Sequence, residues 1–467
     1  MSPRCGLPRF ALLLAASTAL VACGNKGNAS SPGPGDGGSG EDAAQDGGEE
    51  GSTSDTYPAF PVDYPQISKN QGAVLAAPVI VTVTWPDDTN ASTWEAFGDG
   101  IGASSYWSAT TAQYGVGAAT SGASNHVRMT QPLASLSYYD LQNFVIATVQ
   151  AAQGDGGAPD SGSPDAGSPN PAWPAPTKDA KGNVETIYSL FIPSSTSVTD
   201  PGSGMSFCTE GGLGYHDAVL VDGVPVPYAV NLECAGEPNS GVEETAAHEC
   251  VEAATNPYST TTNLGYVNFD TDHIAWDLYT GLLGNDELAD ACQNWQDSYF
   301  QETGSFPYWV QRSWSNESAT GGHDPCAPGV TPYQGMTLFP SQESTVKLNL
   351  SSIGAGTVST HGFPVTVGTP LTFQVGFFSD ASTGPWKIAY DFPASTQLFS
   401  TSGTPIGNGK ATVSIDKTSG QNGDKANVTV TVTAKGTAGF HVMAITWAPP
   451  TMQGFLPHYL PLVLVDQ

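Results

Sequence analysis

What most restricts the fold of this chain is a change of texture near Pro328. Before it, β-branched runs alternate with helical stretches. After it, from Ser341 to Gln467, only β runs recur. Val79–Trp85 reads V-I-V-T-V-T-W and ends at Pro86 and two aspartates, which predicts a strand. Trp94–Tyr114 spaces Phe97, Ile101, Ser105 and Ser108 as a helix would, and Leu141–Val149 is a second helical stretch opening at Asp140. Thr186–Ile192 and Ala218–Val221 are expected strands, with Asp222-Gly223 as a hairpin turn before Val224–Val230. This alternation predicts an α/β or α+β unit over 61–330. Beyond it, Thr345–Leu350, Leu371–Phe377, Ala411–Ile415, Ala426–Thr433, His441–Trp447 and Tyr459–Val465 are separated by Gly/Ser/Asn turns. They predict an all-β, immunoglobulin-like sandwich over 341–467.

Two stretches carry too little apolar surface to offset the entropy of ordering. Residues 23–60 are rich in Gly, Ser, Asp and Glu and are expected to form a flexible tether. Residues 153–183 share that composition and are expected to be a disordered insertion in a surface loop. The whole chain has 14 Lys+Arg against 44 Asp+Glu, a formal net charge of −30. Such a chain has no electrostatic footprint for nucleic acid. No run of about 18 apolar residues occurs beyond the N-terminus, which excludes a multi-span helical membrane protein.

Residues 1–22 read as a secretory signal, with Arg4 and Arg9 ahead of the short apolar run Phe10–Leu20. Leu20-Val21-Ala22-Cys23-Gly24 resembles a bacterial lipobox, so Cys23 is the expected lipidation site and new N-terminus. An ordinary cleaved signal that happens to hold a Cys is the alternative. Acyl chains on Cys23 would tether the protein to a membrane, and Gly24, in place of Asp, favours the outer membrane or cell surface.

Ser240–Pro257 reads S-G-V-E-E-T-A-A-H-E-C-V-E-A-A-T-N-P. Ser240 with Glu243 has the form of a capping box, and Pro257 supplies a stop. On the helix between, His248 and Glu252 share one face, and Glu249 lies about 100° round. In H-E-x-x-H metalloenzymes two such side chains hold zinc and the adjacent carboxylate acts as general base. Here the pattern is H-E-x-x-E. The competing reading is an amphipathic helix: Val242, Ala246, Cys250, Ala253 and Ala254 form an apolar arc, and His248 with Glu252 would be its solvated face. A third ligand is sought downstream in Asp286-Glu287-Leu288-Ala289-Asp290-Ala291-Cys292, where Glu287 and Asp290 would share a helical face. These acids could equally cap or solvate a helix. A ligand set with two carboxylates would acidify water less than a two-His site.

The run H-E-C-V-E-A-A-T-N-P, then E-L-A-D-A-C, then V-Q-R-S-W-S-N and Cys326, resembles the Exordium/phosphate-induced protein family. Phe207-Cys208 with Gly214-Tyr215-His216 is similar to its upstream element. The resemblance spans about residues 70–330 without the insertion. It implies a secreted α/β domain with a zincin-like signature, in which His248, Glu249, Glu252, Glu287 and Asp290 occupy the family's His and acidic positions. It also implies disulfides Cys208–Cys234 and Cys292–Cys326, leaving Cys250 as a buried thiol. The family usually has Leu at that position, and the segment from Pro257 to Asn285 is longer here.

His216 and His273 are lesser candidates for a second imidazole ligand. Asn268–Asp272 alternates oxygen ligands like a calcium loop, without the Gly or terminal Glu such a loop needs. The expectation is a cell-surface lipoprotein with a zinc-dependent, peptidase-like hydrolase domain: His248, Glu252 and Glu287 or Asp290 hold the ion, and Glu249 is the base. The alternative is a non-catalytic protein that binds a peptide or a cell-wall or matrix polymer.

Overall fold

The computed structural model describes residues 54–154, 170–200, 202–259, 263–281, 287–393 and 406–467. Cys23, the signal stretch, the tether up to residue 53 and positions 155–169 of the insertion lie outside the described residues. The protein is mixed α/β with several sheets. No helix among the described residues is long and apolar enough to cross a membrane.

The N-terminal part is organised by a five-stranded sheet in the order His126–Arg128, Val79–Thr84, Thr186–Ile192, Val224–Leu232, Gly214–Val221. The first four strands run parallel and the last is antiparallel. Thr186–Ile192 is buried at every position, as expected of a β-branched and aromatic run covered on both faces. Alternate residues divide two cores. Ile80, Ile187, Phe191 and Ala229 pack against the Ala91–Ile101, Ser105–Thr111 and Asn239–Thr255 helices. Val81, Val83, Tyr188 and Tyr228 pack against Leu141, Val145 and Val149 of the Tyr138–Ala152 helix. The edge strand turns back through Asp222 (φ 51°) and Gly223 (φ 80°). Its register sets Gly214 opposite Asn231 and His216 opposite Ala229. Opposed residues share a face, so Gly214 and His216 look toward the Asn239–Thr255 helix.

Three expectations change here. The helix expected over 94–114 is two helices, because the chain breaks at Gly102, where a Cβ would stand 2.1 Å from the Ala119 carbonyl oxygen. Ser104 then caps the second helix, its Oγ accepting from Trp107 N at 3.0 Å. Residues 170–183, expected in the disordered insertion, lie on the sheet: Trp173 is buried 5.1 Å from Tyr188, and Thr177 N donates to Thr186 Oγ1 at 2.9 Å. One large aromatic ring supplies the burial that the surrounding Pro, Ala and Asp cannot. Residues 54–60, allotted to the tether, run along the C-terminal sheets, where Asn422 Nδ2 donates to the Ser54 and Thr56 carbonyls.

The C-terminal part has a four-stranded sheet (Gln334–Leu338, Leu371–Ser379, Lys425–Ala434, Lys410–Ile415, in spatial order). Beside it is a six-stranded one (Ser344–Leu350, Gly356–Val365, His458–Asp466, Phe440–Trp447, Trp386–Asp391, Ser419–Gly420). All six expected β runs are strands. Gln334–Leu338 shows that this part begins before residue 341. In Ser344–Leu350, Val346, Leu348 and Leu350 point inward while Lys347 and Asn349 face solvent.

The core between these sheets does not stop at residue 330. It continues into Trp276, Trp295 and Trp314 of the N-terminal part. Tyr459 stands 5.3 Å from Trp276 and 5.6 Å from Trp295, and His458 stacks on Trp295 at 4.7 Å. Along this seam Glu343 is surrounded by His361, Asp63, His273 and Asp272. Burial, opposed by His361 and His273, pushes its carboxyl up to about 7. The native carboxyl therefore holds a proton that the unfolded chain, with a carboxyl near 4.5, has released. Stability consequently falls as pH rises from about 4.5 to 7. Glu343→Gln should flatten that slope in thermal melts. It should match wild type near pH 4 and melt roughly 2–5 °C higher at pH 8. An offset that is the same at both pH values would rule out the buried charge as its cause.

Candidate metal centre

The Asn239–Thr255 helix starts directly after Pro238 and has no side-chain cap. The expected Ser240/Glu243 box does not form, because Glu243 Oε2 accepts from Trp309 N at 2.9 Å and so satisfies the neighbouring strand. The sheet covers one side of this helix and the Trp309–Gln311 strand another. Its His/Glu face is therefore not solvated: Glu249 is 6% exposed and Glu252 2%. Cys250 is a free, buried thiol on the sheet side near Ser189, and burial pushes it up to about 12.

Three pieces of chain meet at Glu252. His248 Nε2, one helical turn back, lies 3.1 Å from Glu252 Oε2 and 3.5 Å from Asp290 Oδ1. From the edge strand, His216 Nδ1 lies 3.5 Å from the same Glu252 oxygen, 3.5 Å from Glu287 Oε2 and 3.7 Å from Glu249 Oε2. The other Glu252 oxygen accepts from the backbone N–H groups of Ala289 (3.2 Å) and Asp290 (3.1 Å), which pins the acidic segment to the helix. That segment is not the expected helix but a turn leading into a 3-10 turn over Asp290–Cys292. It is held from behind by Leu288, Ala291 and Cys292, which are buried in the seam core. Asn256, just past the helix end, donates to Glu287 Oε1 and accepts from Gly265 N at 2.7 Å. Gly214 leaves room for Glu249: a Cβ there would come within 3.1 Å of Glu249 Oε1 and 2.6 Å of the Val230 carbonyl.

The structure divides the sequence candidates into two sets of donors sharing Glu252: His248, Glu252 and Asp290; and His216, Glu249 and Glu252, with Glu287 beside them. His216 is thus part of the cluster, whereas His273 pairs with Asp270 at 2.8 Å and faces Asp63 at the seam. The oxygens of Asp270, in the calcium-loop-like run, go to Gln66 N and His273. Disulfides Cys208–Cys234 and Cys292–Cys326 are both present, and the second braces the acidic segment. Such bonds are typical of proteins in oxidising, extracytoplasmic compartments.

Sequence reading placed no role on Gln311, whose only signal was its place in V-Q-R-S-W-S-N. Its Nε2 donates to the Ala289 carbonyl at 2.6 Å, a group that can only accept. The amide oxygen is therefore the atom 2.9 Å from His248 Nδ1, so Nδ1 carries the proton. That orientation aims His248 Nε2 at Glu252 and Asp290. Such outer contacts tune metal ligands. Gln311→Leu should lower zinc affinity by roughly 10–100-fold in a competition titration against a chromophoric chelator, with the fold retained. Unchanged affinity would exclude a positioning role for Gln311.

Charge decides what the cluster can hold. Four carboxylates face two imidazoles, and no Lys or Arg among the described residues pairs with any of the four. Burial opposes charge on His216 and His248, yet the carboxylates, Glu287 at His216 and Glu252 at His248, hold both well above the ordinary imidazole range. Glu252 is lowered: burial is overcome by the two imidazoles. Burial and then the neighbouring carboxylates push Asp290 up to about 6, and burial raises Glu287 well above its usual range. With all four carboxylates ionised, two imidazolium ions would leave two negative charges in excess, and the raised Glu287 and Asp290 relieve that excess by holding protons. A divalent cation would displace protons from the ligands it binds. The donor set of imidazole nitrogen and carboxylate oxygen suits a first-row divalent cation.

No protein-family model matches the chain, and no curated protein does. Among solved structures the chain is similar to domains 4 and 5 of the S-layer protein SbsC. That likeness covers 29% of this chain and 46% of that one, at 13% identity and a TM-score of 0.15, too slight to inform fold or function.

Proposed function

We propose that this protein is a lipid-anchored cell-envelope protein whose N-terminal α/β part binds zinc in a zincin-like manner and hydrolyses a peptide-like substrate. On this reading the C-terminal sheets form an immunoglobulin-like sandwich and the chain is a relative of the Exordium family. The observation that supports the metal reading is a group of four carboxylates, two of them buried and two half-buried, with no cationic side chain but two imidazoles. Buried charge of one sign must be neutralised by protons or matched by a counter-ion, and the imidazole and carboxylate donors gathered here suit a cation.

His248, Glu252 and Asp290 would hold the ion. When bound, zinc supplies Lewis-acid polarisation of a carbonyl and promotes ionisation of water. Glu249 stands one residue from His248, outside that donor set, and its carboxylate would take the proton from the attacking water and pass it to the leaving amine. Gln311 keeps the proton of His248 on Nδ1, away from the ion. Asn256 orients Glu287.

Metal analysis of purified protein, paired with hydrolysis of unfolded casein, tests this. The expected result is stoichiometric zinc and a hydrolysis that chelation stops and Glu249→Gln abolishes while at least one ion stays bound. Absence of metal sinks the metal reading. Bound metal without any hydrolysis favours the non-catalytic envelope-binding alternative.

A further inference from the structure

The geometry points to a second divalent cation in the same cluster, so that Glu252 Oε2 bridges two ions, one on the His248 side and one on the His216 side. This deepens the metal-centre reading and rests on it. The first ion takes His248 Nε2, Glu252 Oε2 and Asp290 Oδ1. The second takes His216 Nδ1 with Glu249 Oε2 and Glu287 Oε2, around the shared Glu252 oxygen.

Three observations carry it. The first is spacing. Donors at about 2.0–2.1 Å from a tetrahedral ion are themselves roughly 3.3–3.4 Å apart. His216 Nδ1 stands 3.5, 3.5 and 3.7 Å from its three carboxylate oxygens, and His248 Nε2 stands 3.1 and 3.5 Å from its two. These are separations of ligands around a centre, and four of the five exceed an ordinary N–H···O bond. The second is charge. With the four carboxylates ionised as ligands, one divalent ion leaves two charges in excess, whereas two divalent ions balance them with both imidazoles neutral. The third is His216 itself. Its side chain is 3% exposed, it comes from a different element than the H-E-x-x-E helix, and its Nδ1 is aimed at oxygens of three carboxylates. Nothing in a one-ion site at His248 accounts for a second imidazole aimed at the same oxygen.

Glu252 is built for a single-oxygen bridge, because its Oε1 is occupied by the Ala289 and Asp290 N–H groups. Paired ions in hydrolytic centres sit about 3.5–4 Å apart, and one shared oxygen is compatible with that separation. In this arrangement Glu249 would bind the second ion through Oε2, leaving Oε1 for the base role proposed above.

The test is the number of ions bound by the full mature chain. Metal-free protein is loaded with Zn²⁺, passed over a desalting column and assayed for metal per chain. The same protein loaded with Mn²⁺ is examined by electron paramagnetic resonance. Two equivalents of zinc, falling to one in His216→Ala, with a spin-coupled manganese spectrum in the wild type, is the expected result. One equivalent in the wild type, unchanged in His216→Ala, with an uncoupled manganese spectrum, overturns the second ion and leaves the mononuclear function standing. No bound metal overturns both. Should His216→Ala fail to fold, the wild-type equivalents and the manganese coupling decide the matter alone.

Discussion

Stripping metal with a chelator should lower the melting temperature of this protein by roughly 8–16 °C, and adding zinc back should restore it. The size follows from linkage. A ligand present at about a thousand times its dissociation constant stabilises the native state by about 4 kcal/mol. A large domain shifts by roughly 2–4 °C per kcal/mol. The effect should be this large because the ion acts on several elements at once: the Asn239–Thr255 helix through His248 and Glu252, and the Glu287–Cys292 segment through Asp290. Glu252→Gln provides the matching variant. It keeps an oxygen for the Ala289 and Asp290 N–H groups but loses the charged oxygen between the imidazoles. It should retain its circular dichroism, bind less than roughly a tenth of the wild-type metal, and become insensitive to chelator. Melting of the wild type that is indifferent to both chelator and zinc would defeat the metal reading.

Trp295→Ala should cost about 3–5 kcal/mol, the largest loss expected from one substitution outside the metal cluster. The ring is fully buried, stacks on His458 at 4.7 Å and meets Tyr459 at 5.6 Å and Trp314 at 6.1 Å. It fills the seam between the α/β part and the C-terminal sheets. Its removal should therefore split the thermal transition in calorimetry, the two parts melting separately. The same seam backs the acidic segment through Leu288, Ala291 and Cys292. Zinc affinity should fall with Trp295→Ala although that residue touches no ligand. A single transition with unchanged metal affinity would show that the C-terminal sheets do not support the site.

Local pattern carried much of this protein into view. The buried strands Val79–Thr84 and Thr186–Ile192, the Asp222-Gly223 hairpin and the alternating strands after residue 340 follow from β-branched runs, turn residues and period-two burial, which are properties of neighbours in sequence. His248 and Glu252 were legible for the same reason, since one helical turn fixes their common face. The Cys pairing was implied by family resemblance and is present.

The rest depended on contacts distant in sequence, which no local period encodes. Whether the His248/Glu252 face is wet or dry is decided by the Trp309–Gln311 strand packing over it. His216 joins the cluster only because strand register sets it opposite Ala229, on the helix side of the sheet. Asp290 and Glu287 part company, one beside each imidazole, because their segment is a turn fastened by the Glu252 carboxylate and not a helix with a common face. Gln311 gains its role from a carbonyl twenty-two positions away. The change of texture near Pro328 did mark two kinds of architecture, but the tryptophans on its near side complete the core on its far side. Burial area is shared across that boundary, and only the folded chain shows with what.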